Sequence, residues 1–234
     1  SEYTADSPLI AMRLLEPSFG DGDFLLPAIE RLLDYWTTNC SGSDPTALSA
    51  CIQAVELHKE TFETTRRRVL AYLIMREISS ELAEYLVDGW LINGDYLLTE
   101  LRGPFDVVVG NPPYVRQESI KEMKEYFSSR YQTYQGTADL YVYFVERGMS
   151  LLRDGGYFSY IVANKWMRAA YGKPLRKWLK ERQIEEIIDF GDLPVFEQAT
   201  TYPCILRMSK KIQDNTIQVT NVDTLSFHSL DEYI

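Results

Sequence analysis

Four consecutive residues, Asn111, Pro112, Pro113 and Tyr114, directly follow the apolar run of residues 107–109. An aromatic amine or an amide is a poor nucleophile because its lone pair is delocalised, and it carries two N–H donors. The Asn111 side-chain oxygen and the Pro112 carbonyl can accept both hydrogen bonds, since proline itself brings no competing backbone donor. Such bonding favours a pyramidal nitrogen whose lone pair points at an electrophile, while Tyr114 can stack on a planar ring. We therefore interpret Asn111, Pro112 and Tyr114 as catalytic.

Three acidic residues lie where predicted strands end, and each can contact a bound cofactor. Glu16 heads a loop in which Gly20 and Gly22 let a ligand approach the backbone closely at the start of a helix. An acid in this place disfavours a pyrophosphate and favours a cation, such as a sulfonium methyl donor with its ammonium group. Glu56 either accepts hydrogen bonds from ribose hydroxyls or is a helix N-terminal acid. Asp95 either accepts one from an adenine amino group or is a turn acid.

Apolar runs of strand length alternate with amphipathic helical patterns along most of the chain. The predicted strands cover residues 9–15, 50–55, 90–92, 105–109, 157–163, 184–190 and 202–208. No helical pattern separates the last two, so we expect the seventh strand to run antiparallel to the others. The alternation predicts an α/β fold with a doubly wound, mostly parallel, seven-stranded sheet. Ligands of such sheets bind at the carboxyl ends of the strands, where the acids and the Asn-Pro-Pro-Tyr tetrad lie.

Charge is unevenly distributed along the chain, whose formal net charge is −10. Residues 165–182 hold seven basic side chains and one acidic side chain, a local balance of +6, which leaves −16 for the remainder. A helix would place four of the basic residues on one face, at positions i, i+3, i+4 and i+7: Lys173, Arg176, Lys177 and Lys180. That face either meets nucleic-acid phosphates or is an ordinary solvated face, and the residues alone leave both open.

Cysteine spacing and hydropathy argue against several classes of protein. Cys40, Cys51 and Cys204 are widely spaced and odd in number, which argues against a disulfide framework or a zinc site, and we expect no metal. No apolar run reaches the roughly 18 residues of a membrane span. We therefore expect a cytoplasmic protein. The absence of an initiator Met and the early first strand indicate a segment of a longer polypeptide.

Two motifs resemble those of the amino-methylating DNA methyltransferases. The loop of residues 16–22 is similar to their first motif, and the tetrad matches their catalytic motif in full. The cofactor loop precedes the catalytic motif along the chain, which is similar to the motif order called the gamma arrangement in this family. The next four residues, Val115-Arg116-Gln117-Glu118, resemble the segment that follows the catalytic motif in fused type II restriction-modification enzymes. The resemblance extends over roughly residues 10 to 210. It implies a class I, Rossmann-like, S-adenosylmethionine-dependent enzyme that methylates N6 of adenine in DNA, in a restriction-modification or related defence system.

The resemblance also implies roles for individual residues and segments. The expected contacts to S-adenosylmethionine are Glu16, Ser18, Gly20, Gly22, Glu56, Asp95 and Asn111. Contacts to double-stranded DNA carrying a flipped adenine are expected from Pro113, Tyr114, Asp139, Lys165 and Phe196. A catalytic domain, truncated at its N-terminal side, is expected at residues 1–210. Residues 211–234 are expected to lead to a DNA-recognition domain or subunit outside the chain.

Three other functions stay open at the level of the sequence. A glutamine amide in a protein and an amino group on an RNA base pose the same chemical problem, because each has two N–H donors and a delocalised lone pair. A protein of a different class, a non-catalytic binding module, could also keep this fold. The basic segment favours nucleic acid as the partner, and the intact tetrad favours catalysis.

Overall fold

The computed structural model of the chain describes residues 8–40, 44–115, 123–196, 202–214, 216–227 and 229–230. The chain divides into two compact units. The first comprises the residues up to Gly110 together with Leu151–Arg153, and the second comprises Asn111–Ser150 and the residues from Asp154 onward. The change from the first unit to the second therefore falls directly in front of the tetrad.

The described residues of the first unit form four parallel strands in the order β3-β2-β1-β4. Their bounds are Leu14–Glu16 for β1, Ile52–Glu56 for β2, Leu91–Asn93 for β3 and Phe105–Gly110 for β4. The strand order reverses between β1 and β4, and open α/β sheets bind ligands outside the carboxyl ends at such a point. Glu16 and Gly110 are the residues that end these two strands.

Among the described residues of the first unit, three α-helices accompany these strands: α1 (Leu25–Asn39), α2 (Lys59–Met75) and α3 (Ser80–Trp90). The first of them buries one stripe of side chains at helical spacing, namely Leu25, Ile29, Leu32 and Leu33. This stripe belongs to a continuous apolar core that includes residues of β2, α2 and α3. In β2 all five residues are buried, so that strand is an inner element of the core.

In the part of the second unit that the structure describes, three α-helices accompany four further strands. The elements are α4 (Lys124–Arg130), α5 (Tyr141–Leu151), β5 (Leu152–Ala163), α6 (Lys173–Leu179), β6 (Gln183–Asp189), β7 (Pro203–Ser209) and β8 (Gln218–Asn221). Leu151–Arg153, at the end of α5 and the start of β5, belong to the first unit. The residues of α5 are buried from Tyr141 to Met149, so this helix has no solvated face over that range. Strand β7 runs antiparallel to both β5 and β6, and β8 runs parallel to β6. Across the described ranges, no helix combines the length and the hydropathy that a membrane crossing requires.

The structure confirms the predicted α/β class and the antiparallel β7, and it differs from the sequence prediction in two details. The described residues hold eight strands rather than seven, because Gln218–Asn221, predicted as part of a connection, pairs with β6. The first predicted strand starts too early, since Leu9–Ala11 form a 3-10 turn and β1 begins at Leu14. A continuous apolar run does not by itself distinguish a strand from another buried segment.

Candidate active site

Two glycines shape the loop that follows β1. Gly20 and Gly22 have φ angles of +50° and +86°, in the left-handed region that glycine adopts without strain. A Cβ atom on Gly22 would lie 3.1 Å from the methyl group of Thr65, whereas one on Gly20 would have no described atom within 4 Å. The Thr65 hydroxyl, in α2, donates a 2.7 Å hydrogen bond to the Gly20 carbonyl. The loop is therefore held from α2 and leaves Gly20 open to a ligand.

Glu56, the last residue of β2, also holds this loop in place. Its carboxylate accepts a 3.0 Å hydrogen bond from the Gly20 N–H and a 2.8 Å hydrogen bond from the His58 N–H. The side chain is buried. Each carboxylate oxygen has a further lone pair, so this arrangement still suits a ribose hydroxyl. The contact with Gly20 joins residues 36 positions apart, and no local sequence pattern indicates it.

Glu16, the last residue of β1, is a buried acid that has no counterion among the described residues. It is only 1% exposed, and within the same residues its Oε2 atom has no hydrogen-bond partner. Burial, followed by the nearby charges of Asp23 and Glu56, raises the pKa of the Glu16 carboxyl to about 8. A buried carboxylate is costly unless a cation or a donor accompanies it. The position therefore fits a positively charged ligand group, such as the ammonium or sulfonium of S-adenosylmethionine.

The remaining predicted cofactor residues of the first unit lie in loops. Ser18 is half-buried in the loop between Glu16 and Gly20. Asp95, two residues beyond β3, accepts a 2.8 Å hydrogen bond at its Oδ1 from the Leu97 N–H. One carboxylate oxygen thus caps a turn, as the alternative interpretation expects, and the other can still receive a hydrogen bond from an adenine amino group.

Asn111 begins the second unit with an unusual polar atom. Its Oδ1 is buried and meets no hydrogen-bond donor in the part of the chain that the structure describes. Leaving such an acceptor buried and unpaired costs about 1–3 kcal/mol, so native proteins rarely do so without a reason. The next residue, Pro112, is also buried, while Pro113 is half-buried. The tetrad thus opens with an acceptor that an incoming N–H donor would satisfy. Beyond Val115, the predicted continuation Arg116-Gln117-Glu118 lies outside the described residues.

Tyr114 lies in an aromatic cluster of the second unit. Its hydroxyl donates to the Ile161 carbonyl at 3.3 Å, and burial raises the pKa of the phenol. The ring centroid lies 6.3 Å from that of Tyr141, with an interplanar angle of 66°, and 6.5 Å from that of Phe196, with an angle of 58°. The structure therefore brings Phe196 beside Tyr114, and contact of either ring with a base stays a prediction.

A chain of hydroxyl groups supports this cluster. The Tyr171 hydroxyl donates to the Asp139 Oδ2 at 2.9 Å and lies 3.1 Å from the Tyr141 hydroxyl. The predicted pocket residue Asp139 is therefore connected to the ring of Tyr114 through two tyrosines. Sequence reasoning missed Tyr171 because it lies 32 residues from Asp139 and belongs to no recognisable motif. Lys165 is exposed in the 3-10 turn Asn164–Met167, and the chain of hydroxyl groups does not include it.

Comparison with known sequences identifies close relatives. The profile of the Eco57I restriction-modification methylase family matches residues 42–196. The type II methyltransferase M.PaeR7I of Pseudomonas aeruginosa is 46% identical over 214 residues, which are 89% of this chain and 37% of the relative. The type II methyltransferase M.XhoI of Xanthomonas vasicola is 38% identical over 210 residues, 87% of this chain and 38% of the relative. The chain thus spans less than half the length of these relatives.

Solved structures with the same fold are more distant in sequence. A structure from Listeria monocytogenes, described as a class I S-adenosylmethionine-dependent methyltransferase, has a TM-score of 0.63 at 18% identity, covering 95% of this chain and 62% of that one. The methyltransferase subunit of a type I restriction-modification system from Streptococcus thermophilus has a TM-score of 0.60 at 16% identity, covering 90% and 42%. The fold is that of the class I methyltransferases, whose methyl donor is S-adenosylmethionine. By the profile match and the identities above, the chain belongs to the Eco57I restriction-modification methylase family.

Proposed function

We propose that this chain transfers a methyl group from S-adenosylmethionine to the N6 amino group of adenine in DNA, as the catalytic part of a restriction-modification or related defence enzyme. The observation that carries the proposal is the buried Oδ1 of Asn111, unpaired within the described residues, which starts the tetrad directly after β4. The relatives are named type II methyltransferases, which supports DNA over a glutamine amide or an RNA base as the substrate.

Asn111 and Pro112 act on the amine by placement. The two N–H groups of the adenine amine donate to the Asn111 Oδ1 and to the Pro112 carbonyl. These hydrogen bonds turn the lone pair of the amine nitrogen out of conjugation with the adenine ring. Neither acceptor is a base strong enough to remove a proton from the neutral amine. The nitrogen would therefore keep both protons until its new N–C bond has replaced the S–CH3 bond of the sulfonium, which leaves a neutral thioether. The nitrogen, cationic at that point, would then release one proton to water.

The aromatic residues hold the base. An adenine inside a duplex cannot reach this tetrad, so it must be flipped out of the helix, and the unstacking energy must be offset in the pocket. Stacking on the Tyr114 ring, with Phe196 packing against the base, provides that offset. The Tyr114 hydroxyl is engaged with the Ile161 carbonyl, so the ring orientation is set before the base arrives.

The first unit contributes the cofactor contacts. S-adenosylmethionine, when bound, supplies an electrophilic methyl group on a sulfonium centre. Glu16 would hold the cationic part of this ligand, Glu56 its ribose and Asp95 its adenine amino group. The backbone at Gly20 and Gly22 allows close approach, and Ser18 is a further proposed contact from this unit. Asn111, the first residue of the second unit, is also proposed to contact the cofactor.

We assign recognition of the DNA sequence to a domain or subunit outside this chain. The proposed substrate of this chain is the flipped adenine of double-stranded DNA. Lys165 and Pro113 are proposed to contact that DNA near the base. We propose that the protein acts on this DNA in the cytoplasm.

The test is methyl transfer from radiolabelled S-adenosylmethionine by the natural full-length protein. Plasmid DNA, total RNA and a glutamine-containing protein extract serve as parallel substrates, and the labelled products are hydrolysed and separated. We expect the label in N6-methyladenine from DNA. Label in RNA, in glutamine or in another nucleoside would overturn the assignment, and cofactor binding without any transfer would favour the non-catalytic module.

A further inference from the structure

Helix α6 presents lysines to solvent on the face opposite its buried residues. Leu175, Trp178 and Leu179 are buried, whereas Lys173 and Lys177 are exposed. Lys180, the residue that follows the helix, is also exposed. The three lysines occur at positions i, i+4 and i+7, so they follow one side of the helix. Their side chains form no ion pair with any residue that the structure describes.

Arg176 differs from the lysines, which corrects the sequence prediction of a face of four basic residues. Its Nη1 atom donates hydrogen bonds to the Trp166 carbonyl at 2.5 Å and to the Ala169 carbonyl at 2.9 Å. The guanidinium therefore binds the turns that precede α6 and fixes the position of the helix. Within the described ranges the lysines have no comparable structural task, which argues against the view that all four residues are equivalent solvated charges.

The lysines line a groove of about 750 Å³, which we call the α6 groove. Its other lining residues include Gln132, Trp178 and Glu181. The backbone N–H of Gln132 donates a 2.9 Å hydrogen bond to the buried Glu146, so this wall of the groove is fixed. Glu181 is an acid at the groove, and its carboxylate lies 4.0 Å from the Arg182 guanidinium, which offsets its charge. The groove is therefore cationic in a chain whose net charge is −10.

We infer that the α6 groove binds the phosphate backbone of duplex DNA. From Lys173 to Lys180 the helix axis advances by roughly 10 Å, which corresponds to about three phosphates along one strand. A single free phosphate or nucleotide would use only part of such a row. Lysine binds phosphate as a point charge without reading base edges, so this surface positions the duplex and does not select a sequence.

The uneven distribution of charge along the chain also favours the approach of DNA at the groove. Because the chain outside residues 165–182 carries −16, it repels DNA at most of its surface, and approach is favoured at the cationic segment. This inference rests on the proposed function in that DNA is taken as the substrate. It assigns a further surface, separate from the tetrad, on which that substrate lies.

The test compares two double variants of the natural full-length protein with the same change in charge. Lys173→Gln with Lys177→Gln neutralises the groove, and Arg31→Gln with Arg67→Gln neutralises exposed residues on α1 and α2 as the control. Binding of a fluorescent duplex without a recognition site is measured by anisotropy over a range of salt concentrations. The slope of log K against log salt is negative, and each lost phosphate contact reduces its magnitude by about 0.9.

For the groove variant we expect the magnitude of the slope to fall by nearly 2 and the dissociation constant at low salt to rise at least about tenfold. The control should keep the wild-type slope, and both variants should bind S-adenosylmethionine normally by calorimetry. Equal slopes for the groove variant and the wild type would overturn the inference, as would an equal loss in the control. Tighter binding of an RNA duplex than of DNA through the same lysines would also overturn it.

Methyl transfer by the wild type separates this inference from the proposed function. If transfer to DNA adenine occurs but the slopes do not change, only the inference on the groove fails. If the duplex binds through the groove but no adenine is methylated, only the proposed reaction fails.

Discussion

Around the loop after β1, in the first unit, the predicted ligand contacts are mainly acidic side chains and backbone, whereas the contacts predicted from Asn111, Tyr114 and Phe196, in the second unit, are neutral amide and aromatic groups. The loop after β1 is held by the carboxylate of Glu56, and beside it Glu16 is a buried acid with no described counterion. Around the tetrad, Tyr114 meets the rings of Tyr141 and Phe196, and the unpaired atom is the amide oxygen of Asn111.

This contrast matches the two ligands that the proposed reaction requires. The acidic loop suits a small cation, because a buried carboxylate gains most when a positive charge approaches. The neutral cluster suits a flat, uncharged heterocycle, which binds by stacking and by hydrogen bonds to an acceptor. We therefore expect ligand binding in the first unit to depend strongly on pH and ligand binding in the second unit to depend on it only weakly.

Loss of the unpaired amide acceptor should have the largest effect. Asn111→Ala should lower kcat about 10²- to 10³-fold, as removal of one preorganised hydrogen-bonding group does in other active sites. The melting temperature should stay near wild type, because the atom removed has no partner among the described residues of the folded protein.

Asn93→Ala is a matched control for that change, since Asn93 also lies at the end of a strand. Its Nδ2 donates to the Glu56 carbonyl at 2.8 Å and to the Leu57 carbonyl at 3.2 Å. The control should lose about 1 kcal/mol of stability and much less of kcat. If Asn111→Ala instead behaves like the control, the asparagine of the tetrad is a structural turn residue.

Removal of the stacking ring should have the next largest effect. Tyr114→Ala should weaken capture of the target base by about 1–3 kcal/mol, whereas Tyr114→Phe keeps the ring and loses only the hydrogen bond to Ile161. Fluorescence of 2-aminopurine at the target position of the duplex measures base capture directly. Equal losses in both variants would assign the effect to the hydroxyl group and not to stacking.

The pH dependence of the first unit should follow Glu16. In the cofactor-free protein its pKa of about 8 exceeds the ordinary value of 4.5, so the folded state holds this proton more tightly than the unfolded state. The free energy of unfolding should therefore fall as pH rises from about 4.5 to 8. Binding of a cationic cofactor requires the ionised carboxyl, so affinity should rise over the same range with release of a proton.

Glu16→Gln should remove the pH dependence of both the free energy of unfolding and the cofactor affinity. It should also weaken cofactor binding about tenfold or more, in line with loss of a charged hydrogen bond. Calorimetry in two buffers of different ionisation enthalpy measures the proton release. Glu60→Gln, at an exposed position in the first turn of α2, is the control and should leave both pH dependences unchanged. Proton release that persists in Glu16→Gln would contradict the assignment.

The smallest effect is expected at Tyr171, which acts through its neighbours. Tyr171→Phe removes the hydroxyl that joins Asp139 to Tyr141, and we expect about a fivefold rise in KM for DNA with kcat nearly unchanged. Steady-state kinetics with separate fits of KM and kcat test this. A fall in kcat as large as that of Asn111→Ala would place Tyr171 in the catalytic site itself.

Several features of the site followed from local sequence. The tetrad lies directly behind the apolar strand β4, and Glu16 and Glu56 are the last residues of β1 and β2, as strand-length apolar runs ending in polar residues indicated. Other features depend on contacts between distant residues. The bond from Gly20 to Glu56, the link from Tyr171 to Asp139 and the inward turn of Arg176 join segments that no local pattern relates.

Local patterns in the amino-acid sequence were enough to predict most of the strands and helices, the residue types at the strand ends and the motif that identifies the family. The folded arrangement was needed to learn which of those polar groups are already satisfied within the protein and which are left for a ligand. Side-chain type sets how many hydrogen bonds and charges a residue can offer, whereas burial and neighbouring groups set how many remain. Glu56 accepts hydrogen bonds from the N–H groups of Gly20 and His58, and Arg176 donates to two carbonyls, while Asn111 keeps its acceptor unpaired among the described residues.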